Sequence, residues 1–401
     1  MEPKKQFVVS HPTGNTFVRA LINKLYQNGQ LNRFHTTIGF GSGRNKIIIK
    51  IFARRSYAIP DQKVTRHWTA EIIKLLSKGN QQKLRLLTDN SYKRLDEKTA
   101  LNLHVNKADT LHAYEDGALE SFQRAKALGI ICSYEIPITH WSSSRRLLSE
   151  ESERYPLWEP TLESTRESEE KLFRKDEELK LADLITCPSK FVLDSIPNEI
   201  KEKTPCQISP FGSPNTNSQL IKFRRNEQKA LRLLFVGSMS QRKGLADVFE
   251  AMRLLKHAPV RLTILGRTSL PMHFYRKQFS DFDYIPPCSN QKVREVMQIH
   301  DALILPSIVE GRALVQQEAL SCGLPIIVTP NAGGEDLVDE GITGYLVPIR
   351  SPEVIASKIE ILLKRLNNLS EMRISCLEKA KCFTWHDYAK KIISFSENLD
   401  N

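Results

Sequence analysis

The stretch PSIVEGRALVQQEALSCGLPIIVT, from Pro306 to Thr329, decides how the second half of this 401-residue chain folds. Glu310 lies in a loop at the entrance of a predicted helix, and Glu318 lies about two turns further along that helix. A β-branched strand follows, from Ile326 to Thr329. The N–H groups and positive dipole of a helix entrance favour phosphate, and carboxylates on either side can accept hydrogen bonds from sugar hydroxyls. The stretch therefore predicts a site for a nucleotide-sugar.

Strands alternate with helices on both sides of this stretch. Leu231 to Val236 is a predicted strand that ends at Gly237, and Val260 to Leu265 is another that ends at Gly266. Such alternation predicts a parallel sheet with helices on both faces and ligands at the carboxyl ends of its strands. The first half begins in the same way, with a strand at Gln6 to Ser10. Because 401 residues exceed one ordinary core, we expect an α/β protein of two domains.

The domain limits follow from changes in composition along the chain. We expect a first domain over residues 1–215 and a second over residues 228–380, with the polar run 223–230 as the linker. Residues 381–401 read as a terminal helix, either free or crossing back onto the first domain. The charge-rich stretch from Ser142 to Lys180 reads as one or two exposed helices interrupted by prolines.

Bulk composition excludes several classes of protein. A hydrophobic content of 40% and a charged content of 26% are typical of soluble globular chains. No apolar run approaches the ~20 residues that span a bilayer, and the start lacks a signal-peptide pattern, so we expect a cytoplasmic location. Seven dispersed cysteines argue against a disulfide framework and against a zinc site.

The net charge of +12 points to an anionic partner. Nucleotide phosphates are one candidate, and a peripheral contact with an anionic membrane surface at the cytoplasmic face is another. Eleven basic residues lie between Arg44 and Arg85, where they form either a solvated face or such a contact. We expect no nucleic-acid partner, because zinc-finger and RNP-like motifs are absent from the sequence.

Five segments follow one another along the chain: HPTGN (11–15), FVGSMSQRKG (235–244), LTILGR (262–267), the paired-Glu stretch, and NAGGEDLVDEGITGYLVP (331–348). Together they resemble a family 4 (group 1) retaining glycosyltransferase with the glycosyltransferase-B fold of two Rossmann-like domains around a donor/acceptor cleft. The resemblance is strongest from Leu231 to Pro348. It implies metal-independent transfer from a nucleotide-diphosphate sugar to a hydroxyl acceptor, without a bound cofactor, in polysaccharide or cell-envelope glycan synthesis.

The resemblance also implies roles for particular residues. Arg242 and Lys243 would neutralise the leaving diphosphate, Glu310 would hold the transferred sugar, and Glu318 would accept hydrogen bonds from both ribose hydroxyls. Without the resemblance, Arg242 and Lys243 would read as a surface pair. The remaining expected donor-binding positions, where backbone approaches the donor, are Gly14, Gly237, Gly266, Gly311, Arg312, Ala313 and Leu314.

The chain departs from the family pattern at three places. Arg312 and Ala313 stand where an aromatic residue and Gly are common, and Arg312 would add a phosphate contact or select an acidic sugar or acceptor. Ser238 stands where many members have Arg, a loss that Arg242 would offset. Glu135 stands near the position of a family His, and we expect it to contact the donor sugar or the acceptor hydroxyl.

Alternatives remain for both the site and the function. His112 and His140 are further candidates for the position given to Glu135, and a simple turn glycine is the alternative to the donor-binding role of Gly14. A non-catalytic glycosyltransferase-like scaffold and a sugar-nucleotide epimerase or phosphorylase on the same fold are the competing functions. Nucleotide binding would separate the enzymes from an inert scaffold.

Overall fold

Two parallel β-sheets, one in each half of the chain, organise the molecule. The computed structural model describes residues 4–43, 55–77, 81–106, 108–162, 167–215 and 230–400. Residues 223–229 of the predicted linker, and the part of the basic run from Arg44 to Arg54, lie outside these residues. The predicted α/β fold with two Rossmann-like domains is confirmed.

The N-terminal domain contains a seven-stranded sheet in the order β5-β2-β1-β6-β7-β8-β9, and β3 pairs with β4 beside it. Strands β2 to β5 and the long helix α3 were not predicted from the sequence. The elements are β1 Phe7–Ser10, α1 Thr16–Gln27, β2 Leu31–Thr36, β3 Phe40–Ser42, β4 Ser56–Pro60, β5 Val64–Arg66, α2 Thr69–Leu76, α3 Gln81–Asn106, β6 Thr110–Tyr114, α4 Leu119–Ala127, β7 Ile131–Glu135, α5 Trp141–Arg154, α6 Glu169–Leu181, β8 Leu184–Cys187, α7 Lys190–Ser195, α8 Asn198–Lys201 and β9 Cys206–Ile208.

The C-terminal domain contains a six-stranded sheet in the order β12-β11-β10-β13-β14-β15, again with parallel neighbours. Its elements are β10 Leu231–Val236, α9 Leu245–Leu254, β11 Val260–Leu265, α10 Met272–Gln278, β12 Asp283–Ile285, α11 Asn290–Gln298, β13 Ala302–Leu305, α12 Leu314–Ser321, β14 Ile326–Val328, β15 Gly344–Leu346, α13 Pro352–Lys364, α14 Leu369–Lys381 and α15 Trp385–Glu397.

The central strands are apolar because helices cover both faces of the sheet. Every residue of β13 is buried, and so is every residue of β14. Since neighbouring strands run parallel, their carboxyl ends meet at one edge. The loops after β10, β11 and β13 therefore come together beside the first domain.

The last helix, α15, packs on the first domain. Its buried residues Tyr388, Ala389, Ile392 and Ile393 share a hydrophobic core with the buried face of α1. The Oη group of Tyr388 also reaches Glu135 at the end of β7. The terminal helix thus ties the two halves of the chain together.

The charge-rich stretch after residue 142 is an interdomain bridge, which corrects the expectation of exposed helices. Trp158 lies in the core of the second domain, with its ring 5.2 Å from that of Phe274 and 5.7 Å from that of Tyr275. On α5, Glu151 is fully buried against the second domain. The charge pattern did not predict the burial of Glu151 and Trp158, because residues distant in sequence, in the second domain, bury them.

None of the described helices combines the length and the apolar character needed to cross a bilayer.

Candidate active site

The loop after β10 carries two of the predicted site residues, Arg242 and Lys243. It forms a short 3-10 turn that ends at Gly244, whose φ of +75° is in the left-handed region. A Cβ at Gly244 would lie 2.1 Å from the carbonyl oxygen of Pro306, so only glycine fits there. The N–H of Ile308 donates to the carbonyl of Arg242 (2.9 Å), which fixes this loop against the loop after β13.

These two cations and Glu310 form an ion triad. Arg242 Nη1 lies 2.6 Å from Glu310 Oε1, and Lys243 Nζ lies 2.5 Å from the same oxygen. All three side chains are at least three-quarters buried. The structure therefore brings together three of the four residues that were predicted as catalytic.

Burial and charge act against each other within the triad. Burial favours the neutral acid of Glu310, but Lys243 and Arg242 outweigh it and hold the pKa of this carboxyl below its ordinary value. Burial lowers the pKa of the Lys243 ammonium, and Glu310 opposes that shift. The triad is a buried charge cluster with one more positive than negative group, which suits an incoming anion.

Loops of the first domain close directly on the residue after Glu310. A Cβ at Gly311 would lie 1.8 Å from the carbonyl oxygen of Pro137, so the backbones of the two domains touch there. The Oγ1 of Thr139 donates to the carbonyl of Glu310 (2.6 Å), and the Oγ of Ser189 donates to the carbonyl of Gly311 (2.7 Å). The predicted sugar-holding loop is thus shared between the domains.

Arg312 does not have the side-chain role that was expected from the sequence. Its guanidinium is buried, donates to Asp336 Oδ1 (2.7 Å) and to the carbonyl of Gly333 (3.1 Å), and lies over the ring of Phe383. It braces a turn of its own domain, so an added phosphate contact or selection of an acidic substrate is contradicted.

The backbone of Ala313 is also occupied, because its N–H donates to the carbonyl of Ala332 (3.1 Å). This contradicts the expectation that Ala313 offers its N–H group to the donor. Leu314 is the first residue of α12, where helix geometry provides no intrahelical acceptor for its N–H. Its side chain packs against the core of the first domain.

Glu318 lies in the middle of α12 and is half-buried. Within the described parts of the chain, no group forms a hydrogen bond or ion pair with its carboxylate. Burial raises the pKa of Glu318, and the positive charge of Arg294 opposes that shift. A partly desolvated carboxylate without a partner is costly unless a ligand donates to it.

The three remaining predicted glycines lie at strand ends. Gly237 and Gly266 follow β10 and β11, and a Cβ at Gly266 would lie 1.7 Å from the carbonyl oxygen of Gly237. This close approach lets the two loops stack at the sheet edge. Gly14 lies between β1 and α1 in the first domain, where its carbonyl accepts from Arg19 Nε (2.7 Å).

Glu135 does not face the cleft, which corrects the prediction that it contacts donor or acceptor. Its carboxylate is buried and accepts from the Oη of Tyr388, 2.8 Å from Oε1 and 2.6 Å from Oε2. His112 Nε2 lies 3.4 Å from Oε2. The group is an anchor for α15. The other alternative, His140, caps α5 and pairs with Asp176 (3.2 Å).

A cavity of about 920 Å³ lies between the two domains. Arg242 contributes to its wall, as does Arg267, which directly follows the Gly266 turn. From the first domain, Asp116 lines it with a left-handed backbone (φ +77°) and an ion pair to Lys171 (3.1 Å). Arg267, Asp116 and Lys171 were not predicted from the sequence, although the position of Arg267 after a strand-ending glycine was a usable signal.

The loop after β10 is also held from the first domain through Gln241. Its Nε2 donates to Glu151 Oε2 (2.6 Å) and to Asp247 Oδ2 (2.8 Å), and its backbone N–H donates to Thr161 Oγ1 (3.1 Å). Gln241 immediately precedes Arg242, so the interdomain bridge fixes the start of the turn that carries Arg242 and Lys243. Across the described ranges, no cluster of three or more His, Cys, Asp or Glu side chains could hold a metal ion.

Comparison with known sequences matches this half of the chain to one family. Residues 217–381 match the family described as glycosyl transferases group 1. The D-inositol 3-phosphate glycosyltransferase of Jonesia denitrificans is 25% identical over 179 residues, covering 41% of this chain and 42% of that protein. The amylovoran biosynthesis glycosyltransferase AmsK of Erwinia amylovora is 25% identical over 152 residues, covering 34% and 37%. The chain thus spans about two-fifths of the length of these curated relatives.

Comparison with solved structures covers nearly the whole chain. Sucrose-phosphate synthase from Thermosynechococcus elongatus superposes with a TM-score of 0.68 at 16% identity, covering 99% of each chain. Anabaena Alr3699/HepE, solved in complex with UDP and glucose, superposes with a TM-score of 0.59 at 14% identity, covering 98% of this chain and 100% of that one. At these identities the likeness concerns the fold.

Proposed function

We propose that this chain transfers a sugar from a nucleotide-diphosphate sugar to a hydroxyl acceptor with retention of anomeric configuration. The chain belongs to the group 1 glycosyltransferases and has the glycosyltransferase-B fold. The observation that carries the proposal is the triad of Arg242, Lys243 and Glu310 at the interdomain edge. It joins two cations to the carboxylate of the loop that the first domain covers.

The donor would lie with its diphosphate against the cations of the triad. Arg242 gives forked hydrogen bonds and Lys243 a compact charge, so together they compensate the negative charge that develops as the diphosphate leaves. Phosphate oxygens would then share these cations with Glu310, whose carboxylate becomes available to hydroxyls of the sugar. This arrangement supports transfer in which protein cations, rather than a metal ion, stabilise the leaving group.

Glu318 would bind the nucleoside. Its unpaired, partly buried carboxylate can accept from both ribose hydroxyls, which would replace the lost contact with water. Glu318 lies about one turn inside α12, whereas Glu310 lies in the loop before this helix, and this spacing would separate the ribose end of the donor from its sugar end.

The reaction exchanges one bond at the anomeric carbon for another. The bond from this carbon to the diphosphate oxygen breaks, and a bond to the acceptor oxygen forms on the same face. The hydroxyl proton passes to the departing diphosphate, so charge and atoms balance. Positioning and fixed cations would supply most of the acceleration, and the contact of Gly311 with Pro137 would help to exclude water.

The named relatives suggest a setting in glycan assembly. One acts in amylovoran biosynthesis and another is a D-inositol 3-phosphate glycosyltransferase. We propose a hydroxyl acceptor of the glycan or lipid-linked saccharide type, with the acceptor entering the 920 Å³ cavity from the first domain.

Thermal stabilisation by UDP, GDP, ADP and their sugar conjugates tests this function. At a ligand concentration of about 100 times Kd, one nucleotide should add about 2.7 kcal/mol of stability, which raises Tm by a few degrees. Lys243→Met should reduce that shift, whereas Lys256→Met, at an exposed lysine just beyond α9, should retain it. A well-folded protein that none of the nucleotides stabilises would support the non-catalytic scaffold instead.

A further inference from the structure

Large apolar side chains are exposed where helices α2 and α3 meet in the first domain. Leu75 and Leu76, at the end of α2, are 62% and 78% exposed, and Leu86 in the first turns of α3 is 66% exposed. The two helices pack together as an αα-hairpin, so these residues share one end of it. The exposed apolar residues of this hairpin patch are Trp68, Ile73, Leu75, Leu76, Leu84 and Leu86.

The same segment is basic. Between residues 61 and 86, the described residues include five lysines or arginines and two acidic residues. Both acids are neutralised locally, Asp61 by Arg66, and Glu71 by Arg55 and Lys74. The apolar patch is therefore bordered by net positive charge, as an anionic surface requires for complementarity.

The hairpin patch also continues into the interdomain cavity. Leu84, Arg85 and Leu86 line the same 920 Å³ cavity as Arg242 of the triad. A surface that covers the patch would therefore lie at the mouth of the cavity. An acceptor held in that surface could place its polar end in the cavity without leaving the surface.

We propose that the hairpin patch docks on an anionic phospholipid bilayer. Exposed leucines would enter the acyl boundary, Trp68 would lie at the headgroup level, and the ammonium of the exposed Lys83 would meet the anionic headgroups. This inference rests on the proposed transferase function. It implies that the acceptor entering the cavity carries a lipid anchor.

Vesicle flotation tests the docking. The full chain is mixed with vesicles of phosphatidylcholine alone or with one quarter phosphatidylglycerol, and the bound fraction is measured at 0.1 M and 0.5 M salt. We expect binding to the anionic vesicles that weakens at high salt. The double variant Leu75→Glu/Leu76→Glu should lower the partition coefficient about tenfold or more.

The matched control places the same charge change on the second domain. Leu254 and Ile299 are 58% and 49% exposed, so Leu254→Glu/Ile299→Glu should float like the unchanged chain. Equal loss in both double variants, or no binding of the unchanged chain to anionic vesicles, would overturn the proposal. A dimer in lipid-free solution that only the Leu75→Glu/Leu76→Glu change dissociates would also overturn it, since the patch would then be a contact between copies.

Nucleotide-induced thermal shifts, measured on the same samples, separate this proposal from the transferase function. Leu75→Glu/Leu76→Glu should retain the shift, because neither residue lies in the triad. Vesicle binding without any nucleotide shift would support docking and refute the donor site. A nucleotide-induced thermal shift without vesicle binding would support the donor site and refute the docking.

Discussion

The substitution Glu318→Gln distinguishes a ligand-binding carboxylate from a structural one. Glu318 is half-buried and unpaired among the described residues, and burial raises its pKa. A carboxyl whose folded pKa is raised contributes stability at low pH that is lost as pH rises through the folded pKa. At pH 7.5 the wild-type protein therefore carries a desolvation cost that the neutral amide lacks, so the variant should be at least as stable without ligand.

The same substitution should weaken nucleotide binding. A hydrogen bond to a charged group is worth about 1.5–3 kcal/mol, and one between neutral groups about 0.5–1.5 kcal/mol. For two ribose hydroxyls the difference comes to about 2 kcal/mol, which is a roughly 30-fold rise in Kd. Isothermal titration calorimetry measures this with the nucleoside diphosphate that gives the largest thermal shift.

Glu360→Gln, at an exposed position on α13, is the matched control and should change neither Kd nor Tm. The reasoning would be refuted if Glu318→Gln bound the nucleotide within about threefold of the wild-type Kd. It would also be refuted if the variant lost more than about 1 kcal/mol of stability, because that would mark a structural partner for the carboxylate.

Two further predictions concern the buried charges. Tyr388→Phe removes the hydroxyl that donates to Glu135. It should lower the free energy of unfolding, measured by chemical denaturation, by about 3 kcal/mol and leave the nucleotide Kd unchanged. A changed Kd with unchanged stability would instead indicate that Glu135 belongs to the binding site. Glu310→Gln leaves two buried cations unpaired and should cost about 3 kcal/mol at pH 7. Because the pKa of Glu310 is lowered, its ionised carboxylate contributes to stability above the unfolded pKa of about 4.3, and this contribution is lost as pH falls through the folded pKa. The difference in unfolding free energy between the wild type and Glu310→Gln should therefore disappear in acid. A difference that stays constant with pH would contradict the ion triad.

Much of the second domain could be predicted from the sequence, because short local motifs determine its elements. Strands ending in glycine and the paired-Glu stretch each determine an element and the loop after it. Arg242 and Glu310 are 68 positions apart, yet they follow β10 and β13, which are neighbours in the sheet. The carboxyl-end rule for parallel sheets was therefore sufficient to bring them together.

The predictions that were wrong concern residues whose contacts join distant parts of the chain. Placement at a strand end could not reveal that Glu135 meets Tyr388, 253 positions away on a helix that crosses between domains. Glu151 and Trp158 lie in a charged stretch whose pattern predicts exposure, but the second domain buries both. The guanidinium of Arg312 is held through Nη1 by Asp336 and a turn carbonyl. Each of these side chains takes its orientation from tertiary partners rather than from local periodicity.

The central claim is that the triad holds the diphosphate of a nucleotide-sugar between the two domains. A crystal structure with the nucleoside diphosphate that stabilises the protein tests it most directly. We predict phosphate oxygens within hydrogen-bond distance of Arg242 and Lys243, and both ribose hydroxyls on Glu318. A nucleotide bound away from these three side chains, with the triad unaltered, would contradict the account.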